Sequence, residues 1–331
     1  MRKTTAAVLV LSAMTAVPLS APAASAGTPT CRGQAATHVG TPGETLTTTP
    51  GSDVVVTNGA RQVFTLNGDD VICATRARFV LVVPGGGDDL VDATQFPGAS
   101  LETALGNVGV QGSSGDDTYL GGDQLDQVNV WSGVRADHKE IHLDGGSDQL
   151  TVDREYPGRM TAALGAGDDD YWNDRSRGGV RVYGEEGRDD VITECLGCDD
   201  AEIRLGPGSI LINGAPAGRA GGFEDAQLIN FESRVVPHAL VVGTADSNRI
   251  TVTACRGEAR GLAADDILSA GLIQEDACGF ARGVMLGGPG DDSLTGAIGD
   301  DRLRGGTGQD GADGRRGHDL CRAEEQTRCE V

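Results

Sequence analysis

GGPGDDSLT GAIGDDRLR GGTGQDGAD GRRGHDLCR, residues 287–322, divides into four nine-residue units in one frame without an insertion. Each unit has Gly at positions one and four and Asp at position six. Three carry an apolar residue at position eight, Leu294, Leu303 and Ala312, and in the last unit Leu320 is displaced by one. Gly at one and four permits positive φ, so six residues can reverse the chain tightly and the last three can run as a strand. Two units make one coil. Coils stacked at the interstrand spacing of about 4.8 Å place Asp292 one coil from Asp310 and Asp301 one coil from Asp319.

Two carboxylates at that distance repel by about 1 kcal/mol even at the dielectric of water. A ladder of them calls for a cation between its rungs. The oxygens on offer are carboxylate and backbone carbonyl, with no His or thiolate in the ligand position. The expected ion is hard, and Ca²⁺ suits six to eight such oxygens better than Mg²⁺, which demands a strict octahedron. At millimolar calcium a site of about 0.1 mM affinity stabilises the fold by about 1.4 kcal/mol.

The array resembles the hemolysin-type calcium-binding repeat, or RTX repeat, whose consensus is GGxGxDxUx with U a large apolar residue. The resemblance implies an all-β chain folded as a right-handed parallel β-roll, or β-solenoid, with Ca²⁺ held between the turns of successive coils. It makes Asp292, Asp301, Asp310 and Asp319 the carboxylate ligands, with Asp291 and Asp300 at the preceding position lending mainly their carbonyls. Gln309 and His318 at that preceding position, and Ala312 at the inward one, depart from the pattern and imply that the array weakens toward its end.

Worn copies recur upstream. LNGDDVI (66–72), GGGDDLV (85–91), SSGDDTY (113–119), GGSDQL (145–150), GAGDDDY (165–171) and GEEGRDDVI (184–192) put candidate ligands at Asp70, Asp89, Asp117, Asp148, Asp169 and Asp189. Several gaps are close to 20 residues, one coil with one glycine turn retained and its partner replaced. Residues 31–73 resemble the entry repeats of secreted RTX-type proteins, with Glu44 and Asp53 in ligand phase. Asn248 and Asp266 stand one double-repeat coil apart, and 200–242 is the least regular stretch. The expected organisation is a leader over 1–26, a degenerate solenoid over 27–285, the regular array over 286–322 and a stapled tail over 323–331. About 16 coils would make a rod of roughly 75 Å.

Composition fits this reading. Gly is 51 of 331 residues and aromatics are 4 %, as many tight turns and short strands require. Arg2 and Lys3, the apolar run from Ala6 to Ala16 and Ala24-Ser25-Ala26 form an export signal with cleavage expected after Ala26, so the mature chain is expected to be secreted. Losing Arg2 and Lys3 takes the formal charge from −22 to −24, since −22 − 2 = −24. Such an acidic chain repels nucleic acid and anionic membranes, and no later segment has 18 uninterrupted apolar residues to insert into a bilayer. All eight Cys lie beyond the leader, and pairing each with its sequence neighbour gives 31–73, 195–198, 255–278 and 321–329. Cys195-Leu-Gly-Cys198 also has the spacing of a redox pair or half a zinc site.

Catalytic signatures are sparse. There is no GxSxG, HExxH or P-loop. His138 and His142 share one face of an alternating strand pattern, which reads chiefly as a solvated face. The enzymatic alternative is a calcium-using polysaccharide lyase or epimerase of the β-helix kind, with Arg175, Arg177, Arg181 or Arg204 as base. Against it stand a single lysine beyond the leader, Lys139, and only Trp131 and Trp172 to stack on sugars. The expected role is structural or binding, with calcium ions as the bound partner and a protein or polysaccharide partner left open.

Overall fold

The computed structural model describes residues 28–75, 79–94, 107–111, 116–123, 125–130, 138–153, 156–174, 179–195, 197–229, 236–271, 278 and 281–330. The expected leader lies outside them. Among the described residues the regular structure is β-strand, stacked in parallel into a solenoid of two long sheets. Sheet 1 has sixteen strands, from His38–Val39 to Leu320–Arg322, and sheet 2 fourteen, from Thr45–Thr47 to Glu325–Thr327. Each coil gives one short strand to each sheet. The stack is fourteen strands deep in sheet 2, fewer than the sixteen coils expected, because the repeats are unequal. Equivalent residues stand 17 apart between Asp53 and Asp70 but 28 apart between Asp89 and Asp117.

Strand alternation sends every second side chain into the gap between the sheets. Val63, Ile72, Leu150, Tyr171, Val191, Ile250 and Leu294 line this core. Its largest side chains, Tyr156, Tyr171 and Phe223, lie near the middle, where the rings of Tyr171 and Phe223 stand 6.1 Å apart, and its last buried residues are the small Ala312 and Cys321. In the last nonapeptide the inward place belongs to Cys321, and Leu320 faces solvent at 49 % exposure. Leu320 is therefore not a displaced core residue.

The sheets run through residue 286 without a break. The strand Arg282–Pro289 pairs with Ala254–Arg260 on one side and Arg302–Thr307 on the other. Among the described residues of the two long sheets, one insertion interrupts the parallel order, and it falls in 200–242, the stretch least regular in sequence. Ser209–Ile212 is antiparallel to both Asp200–Arg204 and Ala215–Gly221, and this hairpin sits in sheet 1 between Val180–Glu186 and Val236–Val242. All four neighbour disulfides are present, 31–73, 195–198, 255–278 and 321–329. The CxxC pair is thus a local staple at the base of the hairpin.

Candidate metal centre

The position-six aspartates line the two turn edges of the solenoid. Asp53, Asp70, Asp89 and Asp117 stack on the edge that leads into sheet 1, where Asp301 and Asp319 return near the end. Asp126, Asp148, Asp169 and Asp189, then Asp266, Asp292 and Asp310, stack on the edge that leads into sheet 2. The predicted ligands therefore form separate ladders on two edges. Within each ladder Oδ1 accepts the backbone N–H of the equivalent residue one coil earlier, at 2.7 Å from Asp148 to Asp169 and 3.0 Å from Asp292 to Asp310.

The second carboxylate oxygen divides the turns into two kinds. In the closed kind, the backbone N–H four residues earlier donates to it: Thr49 to Asp53, Gly122 to Asp126 and Ala297 to Asp301, with Thr244 donating to the amide oxygen of Asn248. In the open kind, Oδ2 is buried without a partner, at Asp70, Asp89, Asp148, Asp169, Asp189, Asp266, Asp292, Asp310 and Asp319. At all nine, the residues four and two before the Asp have positive φ, for example Leu66 and Gly68, Asp144 and Gly146, Gly288 and Gly290, Arg315 and Gly317. This conformation turns the amides away from the carboxylate. The Gly68, Gly146, Gly167 and Gly290 amides instead donate along the stack to Gly86, Ala166, Glu186 and Thr307.

The glycines consequently work at different positions than the repeat suggests. Position one, expected to need positive φ, lacks it. A Cβ there would collide with the carboxylate of its own turn, 2.0 Å from Asp292 Oδ2 at Gly287 and 2.1 Å from Asp310 Oδ2 at Gly305. In the open turns positive φ falls at positions two and four, the second of these as expected. In the turn before Asp266 neither is glycine, and Leu262 and Ala264 hold φ of 92° and 66°. A left-handed non-glycine residue costs about 1 kcal/mol. The double variant Leu262→Gly, Ala264→Gly should therefore be more stable than the natural chain by about 1–2 kcal/mol in urea unfolding.

The position-five aspartates form an outer, exposed ladder aimed the other way. The side chain of Asp291 accepts the Gln309 amide at 2.8 Å and that of Asp300 accepts the His318 amide at 3.0 Å. These two predicted residues contribute carboxylates to stacking, beyond the carbonyl role expected of them. Two predicted ligands have both oxygens engaged. Asp301 is closed, with Gly283 N–H on Oδ1 at 2.5 Å and Ala297 N–H on Oδ2 at 2.6 Å. Asp117 takes the Asp89 amide on Oδ1 and the Lys139 ammonium on Oδ2.

Lys139 stands in register with Asp117, so it occupies the next rung of the carboxylate ladder. Its side chain is buried, and it closes that ladder with a covalently tethered cation. Two other ladders end on longer acids. The Asp189 amide donates to Glu224 Oε2 at 3.0 Å and the Asp310 amide to Glu324 Oε2 at 2.9 Å. Asp126 and Glu224 carry only part of the glycine frame, in Gly121-Gly122 and Gly221-Gly222, Glu324 carries none, and none of the three was among the expected ligands. The tail bracketed by Cys321 and Cys329 thus caps an edge ladder through Glu324.

Electrostatics follow from burial. Loss of water pushes the Asp148 carboxyl up to about 9, Asp89 to about 8, and Asp189 and Asp266 to about 7, with neighbouring aspartates adding to the shift. Asp301, despite its two amide donors, is raised by burial to about 6. Asp53 is also desolvated, but bonds from Thr49 and its neighbours outweigh this and hold it below the ordinary value. Ionising the open-turn carboxylates therefore creates negative charge that the fold itself leaves uncompensated. Their donor set suits a hard divalent cation: carboxylates from two adjoining coils plus turn carbonyls. Among the described residues no three His, Cys, Asp or Glu side chains converge into a cluster able to hold a metal ion, so each place offers carboxylates from two coils only and turn carbonyls would have to complete the shell.

His138 is exposed, and His142 Nε2 lies 3.2 Å from Glu140 on the solvent face. Of the arginines considered as bases, Arg204 pairs with Glu202, Arg181 is exposed on sheet 1, and Arg175 and Arg177 lie outside the described residues. Trp131 lies outside them too. No protein-family model matches the chain, and no curated protein matches it.

Proposed function

We propose that the chain is a secreted calcium-binding β-solenoid of the hemolysin-type repeat kind, with a structural or binding role, in which Ca²⁺ between stacked turns is part of the fold. The observation that carries this is the pairing of nine left-handed turns with nine buried, unpartnered Oδ2 atoms. A buried carboxylate oxygen without a partner is costly, and a cation removes the cost. When bound, calcium supplies positive charge and oxygen coordination to rungs that otherwise repel. The protein's own part is to fix the carboxylates, since each Oδ1 is already held by an amide of the preceding coil.

Open turns adjoin in the stack at five places: 70/89, 148/169, 169/189, 266/292 and 292/310. Each offers carboxylates from two coils, so about five ions are expected per chain. Equilibrium dialysis with radioactive calcium tests this. Asp292→Asn touches two of the five places and should remove about two ions, whereas Asp53→Asn, in a closed turn, should remove none. A chain that binds no calcium at millimolar concentration, or an Asp53→Asn variant that loses as many ions as Asp292→Asn, would overturn the assignment.

A further inference from the structure

The outer faces of the two sheets differ in charge. In the last coils sheet 1 presents Arg256, Arg260, Arg282, Arg302, Arg304 and Arg322 to solvent. Glu258 is the one acid among the outward residues of those four strands, and it pairs with Arg260 at 2.5 Å. The other five arginines make no ion pair among the described residues. The register sets Arg256 beside Arg282 and Arg304 beside Arg322, one coil apart, with Arg302 and Arg304 two residues apart on one strand. Val284, Leu286 and Leu320 fill the places between them. Shallow depressions lie over His238, Arg256 and Arg282, and over Leu286, Arg304 and Thr307. Sheet 2 in the same coils shows Ile267, Ser269, Ser293, Thr295 and Asp313, with no arginine.

Five unpaired guanidinium groups on one flat face, in a chain of strongly negative charge, are a local positive field within the Debye length of about 10 Å. They repel one another, and although Arg282 lies in the field of Asp301, none of the five makes an ion pair among the described residues. We propose that this face of sheet 1 binds a linear acidic polysaccharide, whose carboxylate or sulfate groups lie on the arginine columns and whose C–H faces lie on Val284, Leu286 and Leu320. Guanidinium forks suit planar or tetrahedral oxyanions, and columns repeating at about 4.8 Å suit a repeating polymer. Nucleic acid fits less well. The outward residues of these strands include no aromatic to stack bases. Its dense charge would also meet the acidic turn edges on either side.

The surface is independent of the metal reading, because it needs the folded solenoid and none of the turn carboxylates. The test uses the mature chain in calcium, with fluorescently labelled polygalacturonate and dextran sulfate, neutral dextran and single-stranded poly(dT) as probes in fluorescence anisotropy. Binding to at least one acidic glycan, weakening with salt and absent with neutral dextran, is expected. The variant Arg302→Gln, Arg304→Gln, Arg322→Gln should bind about tenfold more weakly. It should keep the thermal transition and calcium content of the natural chain. Arg159→Gln with Arg181→Gln, on the same sheet but outside the patch, should bind as the natural chain does. No binding to either acidic glycan, unchanged binding by the triple variant, or tighter binding of poly(dT) would overturn the proposal. Light scattering that shows dimers in the natural chain and monomers in the triple variant would overturn it too, assigning the face to a second copy.

Discussion

Replacing Lys139 by methionine should lower the stability of the mature chain by about 3 kcal/mol, because removing one member of a buried pair strands the other. Methionine keeps most of the side-chain volume, so the loss reports charge rather than packing. Lys139 is 5 % exposed and its ammonium sits on Asp117 Oδ2, at the rung where a further aspartate would continue the ladder. Without it, Asp117 faces Asp89 across a low-dielectric edge and loses the ammonium on its Oδ2, and burial already drives Asp89 up to about 8. Urea unfolding in the presence of calcium measures the effect. Raising calcium should recover part of the loss, since a mobile cation can occupy the place of the tethered one. A variant as stable as the natural chain would mean that Asp117 has another neutralising partner.

The second large effect is on pH. In chelator the open-turn carboxylates have folded-state values raised by burial, to about 9 at Asp148 and about 7 at Asp189 and Asp266. An unfolded aspartate titrates at about 3.9. Between about pH 4 and pH 9 the folded chain therefore binds more protons than the unfolded one. Stability is fully present below the unfolded value and is lost as pH rises through the folded values, by at most about 1.4 kcal/mol per pH unit for each such group. The melting temperature in chelator should fall by about 10 °C between pH 5 and pH 8.5. Calcium competes with these protons, so its stabilising effect should grow over the same range. A melting temperature in chelator that rises with pH would show that the carboxylates ionise freely in the folded chain.

Much of this was legible in the sequence because the repeat encodes two periods at once, alternation in the strand and glycine at the turn. Leu294 and Leu303 face the core, and Asp292 stacks on Asp310, as the nonapeptide frame requires. What the frame could not separate are the two kinds of turn. GAIGDDRLR keeps Gly at one and four and departs from the repeat only in having Ala297 at position two, a place where Arg315 is tolerated in an open turn, yet Ala297 keeps its amide on Asp301 and closes the turn. LAADD matches poorly and is open, because stacking on the coils around it holds Leu262 and Ala264 left-handed. Tertiary stacking overrides local preference there. Lys139 and Glu324 have no glycine at turn position one or four, and Glu224 has Gly222 at position four but none at position one, so none of the three was legible as a ladder end. Their role comes only from register with the neighbouring coil.

Calcium between the turns is proposed to be a part of the fold. Calorimetric unfolding of the mature chain at neutral pH, in 1 mM calcium, in 1 mM magnesium and in chelator, tests it most directly. Five sites of about 0.1 mM affinity would add about 1.4 kcal/mol each, raising the calcium transition by about 10 °C over chelator. Magnesium should give little of that shift, because it dehydrates reluctantly and prefers strict octahedral sites. Coincident transitions in calcium and chelator would contradict the account.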